Sequence, residues 1–267
     1  MADKPTLLLT GDDGYNSLGT RTLVHALRDH YDIWIAATAD QQSGMGGKIS
    51  MRGFEWEKIE VDGIPTLKVM GSPVDCIELA QNYFDTPFDL VISGINWGAN
   101  MSSAIYSSGT FNAAMRAVSI KVGTKVMAMS WDLPGAAFLH HHQETSVAEY
   151  FKYPGETARK VVELAFEHNF WGVSLLNVNF PQQPTSAVKI TKIITDVTQC
   201  WNNAHPDMPK DKGTYQYGAN RVFNPLLDSS YDVTAITSGL ISISPCTAEI
   251  TPAEVAPLLG TELALFS

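Results

Sequence analysis

The sequence predicts a three-layer α/β domain built on a mostly parallel sheet, with a β-rich arm towards its C-terminal end. Three observations predict it. Short apolar runs with strand character recur at Leu7–Thr10, Ile33–Ala37, Leu90–Ile92, Lys125–Met129 and Leu175–Val178, each too short for a helix. Segments with helical spacing of apolar residues lie between them on short links, which is the order of parallel crossover units. After Pro181 the texture changes to β-branched, extended segments around a stretch rich in Pro, Asp, Asn and Lys.

Taken in order, Leu7–Thr10 is the first strand. Leu18–His30 is a helix, with Leu23 and Leu27 on one face. Ile33–Ala37 is the second strand, and the polar, Gly-rich run 39–47 is a loop. Ile49–Val69 alternates apolar and polar residues around Asp62-Gly63, which reads as a hairpin. Pro73 opens a helix to Tyr83. The strand Leu90–Ile92 gives way to Ser93–Ser108, read as loop from its Gly, Asn and Ser content. Gly109–Ile120 has helical spacing, Lys125–Met129 is a strand, and Val147–His168 is a long amphipathic helix interrupted at Tyr153-Pro154-Gly155. Beyond the strand Leu175–Val178, Val188–Thr195 and Tyr215–Phe223 read as extended, Tyr231–Thr237 as helix and Leu240–Ser244 as a strand returning to the body. The domain reading is an α/β core over 1–184 and a C-terminal portion over 185–267. That portion consists of an arm at about 185–229 and a returning helix–strand segment.

Composition narrows the function. The chain has 267 residues and 45% hydrophobic content, enough for a sizeable core. A net charge of −10 argues against a nucleic acid polymer or an anionic membrane as partner. No apolar run approaches the ~18 residues of a membrane span. No secretory signal is visible, and Cys76, Cys200 and Cys246 are far apart and odd in number. A cytoplasmic protein is expected. His140-His141-His142 reads as a surface loop, since consecutive residues on a regular element do not face one metal.

The chemistry is sought where the apolar strands end, because open α/β sheets bind ligands outside the carboxyl ends of their strands. The first strand ends in Gly11-Asp12-Asp13-Gly14. Asp-Gly is common turn chemistry. Two adjacent carboxylates at the end of a buried strand also call for a cation. The second strand leads to the loop holding Ser43, and the strand at Leu90 leads to Asn96 and Asn100. Two carboxylates, a hydroxyl and an amide oxygen drawn from these loops make an oxygen-only set suited to magnesium or manganese and poor for zinc. Ser108, Gly109 and Thr110, at the mouth of a helix, offer free backbone N–H groups and hydroxyls, an anion site. A hard cation beside an anion site is the layout of phosphoryl chemistry. No Gly-x-Gly-x-x-Gly follows the first strand, and neither a Walker A sequence nor a Gly-x-Ser-x-Gly elbow is present.

Several segments together carry a family resemblance: Asp12-Asp13-Gly14, Gln42-Ser43-Gly44, Gly71-Ser72-Pro73-Val74-Asp75-Cys76, Ser93-Gly94-Ile95-Asn96-Trp97-Gly98-Ala99-Asn100, Ser108-Gly109-Thr110 with Ala113-Ala114, Asn177-Val178-Asn179-Phe180-Pro181 and Ile241-Ser242-Ile243-Ser244-Pro245. In order and spacing the chain resembles the SurE family of stationary-phase survival nucleotidases over most of its length. The resemblance implies a Rossmann-like core, a C-terminal arm exchanged between subunits, and a homodimer or homotetramer. It implies a metal-dependent phosphatase acting on nucleoside 5′- and 3′-monophosphates, with short polyphosphate a substrate of some members. One divalent ion per subunit, Mg2+ or Mn2+, would be held at Asp12, Asp13, Ser43 and Asn96, with phosphate at Asn100, Ser108, Gly109 and Thr110. Asp12 and Asp13 are the catalytic candidates. Two departures stand out: Gly11 where the family motif has Asn, and Ala37-Thr38-Ala39 where the family commonly has Ala-Pro. Two alternatives accompany this reading, a phosphatase for polyphosphate or another small phosphate ester, and a nucleotide-binding protein with weak or lost turnover.

Overall fold

The structure, a computed structural model, describes residues 4–133, 150–169, 175–203, 210–214, 221–224 and 227–249. Nine strands form one sheet, in spatial order β3-β4-β2-β1-β5-β6-β7-β11-β8. They are β1 (Thr6–Thr10), β2 (Asp32–Thr38), β3 (Glu55–Val61), β4 (Ile64–Met70), β5 (Leu90–Trp97), β6 (Val126–Trp131), β7 (Leu175–Phe180), β8 (Val188–Ile190) and β11 (Ile241–Cys246). From β4 to β7 every neighbour is parallel. β3 closes one edge antiparallel to β4, and β11 runs antiparallel to β7. β9 (Trp201–Asn203) and β10 (Arg221–Phe223) pair with each other as a separate antiparallel ribbon.

The helices cover both faces. α1 (Leu18–Leu27) and α4 (Thr157–Glu167) share a core with Leu7 and Leu9 of β1 and Ile92 of β5. α2 (Pro73–Tyr83) and α3 (Gly109–Ser119) share the opposite core with Leu8 and Val91. The alternation within each strand is the period of two that splits neighbours between faces. This is the Rossmann-like three-layer class expected. The last short helix, α5 (Asp232–Thr237), packs beside β11.

Local chemistry accounts for the element boundaries. Ser17 caps α1, its hydroxyl accepting from the Thr20 N–H. Ser72 and Asp75 form a reciprocal capping box with Pro73 at the first turn of α2. The hairpin turns at Asp62 and Gly63, both with positive φ, as a two-residue turn matched to strand twist requires.

Some expectations are corrected. β5 does not end at Ile92 but runs to Trp97. All eight of its residues are buried, and Asn96 and Trp97 pair with Ser130 and Trp131 after a register shift that follows Ser93. Tertiary pairing overrides the loop-like composition, and Asn96 therefore sits on a strand. The helix expected from Val147 begins at Thr157, because Tyr153 is extended ahead of Pro154 and Phe151–Glu156 make a wide, irregular turn. The His140–His142 run, the first residues of that expected helix, and Tyr215–Asn220 lie outside the described residues. Of the arm, Val188–Ile190 joins the main sheet as the edge strand β8, parallel to β11.

Candidate active site

The C-terminal ends of β1 and β5 and the start of α3 meet at the paired carboxylates. Asp12 follows β1 and is only 3% exposed. Its Oδ1 accepts from the Thr110 hydroxyl at 2.5 Å. A Cβ added to Gly109 would lie 2.7 Å from Asp12 Oδ2 and 2.9 Å from its Cβ. Glycine is thus what lets α3 begin directly on the carboxylate. The contact places Asp12 at the positive end of an 11-residue helix. Burial nevertheless pushes its carboxyl above the ordinary value, outweighing the Thr110 hydroxyl and the Thr110 and Gly109 amides that favour the charged form.

Asp13 is half-buried. Its Oδ2 accepts the Trp97 N–H at 2.9 Å and its Oδ1 accepts Gln41 Nε2 at 3.2 Å. Burial first, and the Asp12 charge second, push its carboxyl up to about 7. Among the described residues no Lys, Arg or His pairs with either carboxylate. Adjacent acids, one buried and one half-buried, with both carboxyls pushed towards the neutral form and no cation beside them among the described residues, make a candidate cation site.

Asn96, next to Trp97, is buried, and its Nδ2 donates to the Gly98 carbonyl at 2.7 Å. Its Oδ1 accepts no hydrogen bond among the described residues, which suits a ligand oxygen. Ser43 is exposed in a turn bracketed by two anchors. The Gln42 N–H donates to the Asp12 carbonyl at 2.6 Å, and the Gly46 N–H to the Ser107 carbonyl at 2.9 Å. No group of three or more His, Cys, Asp or Glu side chains suited to a metal occurs among the described residues. The candidate donors, two carboxylates, a hydroxyl and an amide oxygen, are all oxygen, the chemistry that a hard divalent cation prefers.

Ser108 caps α3, its Oγ accepting from the Phe111 N–H at 2.9 Å. Thr110 is wholly buried, with its hydroxyl committed to Asp12. Asn100 makes no hydrogen bond to these side chains among the described residues. Its Nδ2 donates to Ser130 Oγ at 2.8 Å, and its backbone is bound by Asn177 and Asn179 of β7. Sequence reasoning assigned no role to Gln41, Trp97, Ser130, Asn177 or Asn179. Only the Asn177-Val178-Asn179 repeat carried a signal, since a period of two puts both amides on one face of a strand.

A doubly wound sheet with paired acids and a helix N-terminus outside its strand ends defines an α/β protein with its candidate site where open sheets of this kind bind ligands. The survival protein SurE family model matches residues 7–203, and the chain belongs to that family. It is 31% identical over 253 residues to the 5′-nucleotidase SurE of Desulfitobacterium hafniense, covering 92% of each chain. It is 30% identical over 247 residues to that of Methanopyrus kandleri, again covering 92% of each. The crystal structure of the SurE protein from Aquifex aeolicus superposes with a TM-score of 0.73 at 24% identity, covering 96% of this chain and 98% of that one.

Proposed function

We propose that the protein is a divalent-metal-dependent phosphatase that hydrolyses nucleoside 5′- and 3′-monophosphates to nucleoside and phosphate. The observation that carries the proposal is the Asp12–Asp13 pair, one carboxylate buried and the other half-buried, without a cationic partner among the described residues, with Asp12 set against the first turn of α3. The family and its curated 5′-nucleotidase relatives supply the substrate class.

In this reading Asp12, Asp13, Ser43 and Asn96 hold one Mg2+ or Mn2+ per subunit. When bound, such an ion lowers the pKa of a water and offsets charge on phosphoryl oxygens. Asn100, Ser108, Gly109 and Thr110 hold those oxygens, the helix amides acting as fixed donors. Asp12 or Asp13 orients or deprotonates the attacking water. That water's oxygen bonds to phosphorus, the phosphorus–ester oxygen bond breaks, and the nucleoside oxygen takes a proton from solvent. Because Trp97 and Gln41 donate to Asp13 and Thr110 to Asp12, neither carboxylate rotates freely.

The free thiols Cys76, Cys200 and Cys246 suit a reducing cytoplasm, and no helix among the described residues is long and apolar enough to cross a membrane. A homodimer or homotetramer built through the arm is the assembly proposed. The test is phosphate release from a panel of nucleotides, short polyphosphate and sugar phosphates with Mg2+ or Mn2+, run beside Asp12→Ala and Asp13→Asn. Nucleotide hydrolysis abolished in both variants supports the proposal. Preference for polyphosphate changes the substrate. Tight nucleotide binding without phosphate release identifies a binding protein, a result that the Gly11 departure makes specific.

A further inference from the structure

The loop after β5 carries Asn100, whose backbone finds no main-chain partner among the described residues. Both of its polar groups are bound by one side chain instead. The Asn100 N–H donates to Asn179 Oδ1 at 2.8 Å, and Asn179 Nδ2 donates to the Asn100 carbonyl at 3.1 Å. A primary amide has the same donor and acceptor as a peptide group, so Asn179 pairs with Asn100 as a neighbouring strand would. Turning the amide over would set donor against donor and acceptor against acceptor, so only one orientation satisfies both bonds. Asn177, two residues earlier on the same face, reaches only the carbonyl, at 2.9 Å. Its Oδ1 has no hydrogen-bond partner among the described residues. Both asparagines are fully buried. The Asn100 side chain is fixed separately, by Ser130 of β6.

We propose that Asn179 is a positioning residue for the phosphate site, acting through Asn100. The inference rests on the assignment of Asn100 to the phosphoryl oxygens. Asn179 contacts no reacting atom in this account. Its role is to hold the backbone from which Asn100 is presented, at the end of a loop with no ladder of its own. Two buried asparagines on one strand face supply a built-in comparison. They are alike in burial and chemistry, yet only Asn179 fixes both backbone groups of Asn100.

The experiment uses the full chain with manganese and compares Asn179→Leu, Asn177→Leu and Asn100→Ala. Binding of inorganic phosphate is measured by calorimetry, with KM and kcat for a nucleoside monophosphate and the thermal midpoint of each variant. Loss of the two-bond clamp is expected to raise the phosphate Kd and the nucleotide KM about tenfold in Asn179→Leu, since leaving a buried backbone N–H unpaired disturbs the loop at that scale. Asn177→Leu is expected to change both by less than about threefold, because the N–H pair with Asn179 survives. Both lower the thermal midpoint. An unchanged phosphate Kd in Asn179→Leu, or an equal rise in both leucine variants, overturns the inference and leaves a structural role only. If Asn100→Ala weakens phosphate while Asn179→Leu does not, the inference alone fails. If Asn100→Ala has no effect, the phosphate assignment of Asn100 fails first. Should Asn179→Leu not fold, Asn179→Asp keeps the acceptor for the N–H and loses the donor for the carbonyl, and the same rise in phosphate Kd is expected of it.

Discussion

Thr110→Val offers a sharp test of the carboxylate–helix contact. The change removes one hydroxyl at a fully buried position and leaves the side-chain shape nearly intact. That hydroxyl donates to Asp12 Oδ1 at 2.5 Å and favours the charged form of a carboxyl that burial already pushes towards its neutral form. A hydrogen bond to a charged group is worth about 1.5–3 kcal/mol. That is roughly ten- to hundredfold in an equilibrium constant. The hydrogen bond stabilises the ionised form, so removing it moves the carboxyl further in the direction burial has taken it. A carboxyl must lose its proton to bind a cation, so proton and metal compete. The variant should require more manganese than the parent at the acidic end of a pH series, by up to that ten- to hundredfold factor, and the gap should close as pH rises and the carboxyl ionises in both proteins. Manganese binding isotherms at several pH values measure the effect, with phosphate release as a second readout. Equal manganese midpoints for variant and parent at both ends of the range would refute the reasoning, because Thr110 would then have no influence on the charge of Asp12.

Asp13→Asn should raise the metal-free thermal midpoint at pH 8. An acid whose folded pKa is pushed from 3.8 to about 7 costs stability as pH rises through that window, so the gain should vanish below about pH 4, and a lower midpoint at pH 8 counts against it. Gly19→Ala should destabilise by about 1–3 kcal/mol or more in urea unfolding with an unchanged slope. Its Cβ would lie 1.9 Å from the Ile95 carbonyl oxygen, so α1 must withdraw from the strand that presents Asn96, and an unchanged midpoint contradicts that packing. Gly11→Asn restores the usual residue of the family motif at a buried position that has room for a Cβ. A Cβ there meets nothing closer than 3.6 Å and the residue is not in the left-handed region. Its kcat for nucleotide should rise if the missing amide limits catalysis, and an unchanged kcat shows that Gly11 is not the bottleneck.

Much of this architecture was legible because strand and helix periods are local. The starts of α2 at Pro73 and α3 at Gly109, and the turn at Asp62-Gly63, follow from caps and turn residues within a few positions. The family markers similarly named the residues of the candidate site. What stayed hidden depends on partners far apart in the chain. Thr110 reaches Asp12 across 98 residues and Trp97 reaches Asp13 across 84. Ser93–Trp97 reads as loop by composition, because only the β6 partner turns its Gly, Asn and Ser residues into a strand. Asn177 and Asn179 likewise acquire a role only when the loop holding Asn100 is laid across β7.

The two faces of the sheet explain why the site lies towards α3. On β1, β5, β6 and β7 the side facing α2 and α3 is apolar at Leu8, Val91, Ala128 and Leu175. Two residues further along each strand that face becomes polar, at Thr10, Ser93, Ser130 and Asn177, all buried. The opposite face stays apolar to the strand ends, at Leu9, Ile92, Met129 and Phe180. At β6 and β7 the strip holds Asn100, Ser130 Oγ accepting from its side chain and Asn177 Nδ2 donating to its carbonyl, whereas the Thr10 and Ser93 hydroxyls have no hydrogen-bond partner among the described residues. Over the apolar side the same groups would lose their hydrogen bonds to water without replacement. The strip therefore favours delivery of the loop after β5, and the helix that follows it, to the α2–α3 side. Asp12, next on that side after Thr10, then meets the α3 N-terminus rather than the α1 core. Ser130 and Asn177, at the ends of β6 and β7, thus hold the loop that leads to α3, and the first turn of α3 meets Asp12.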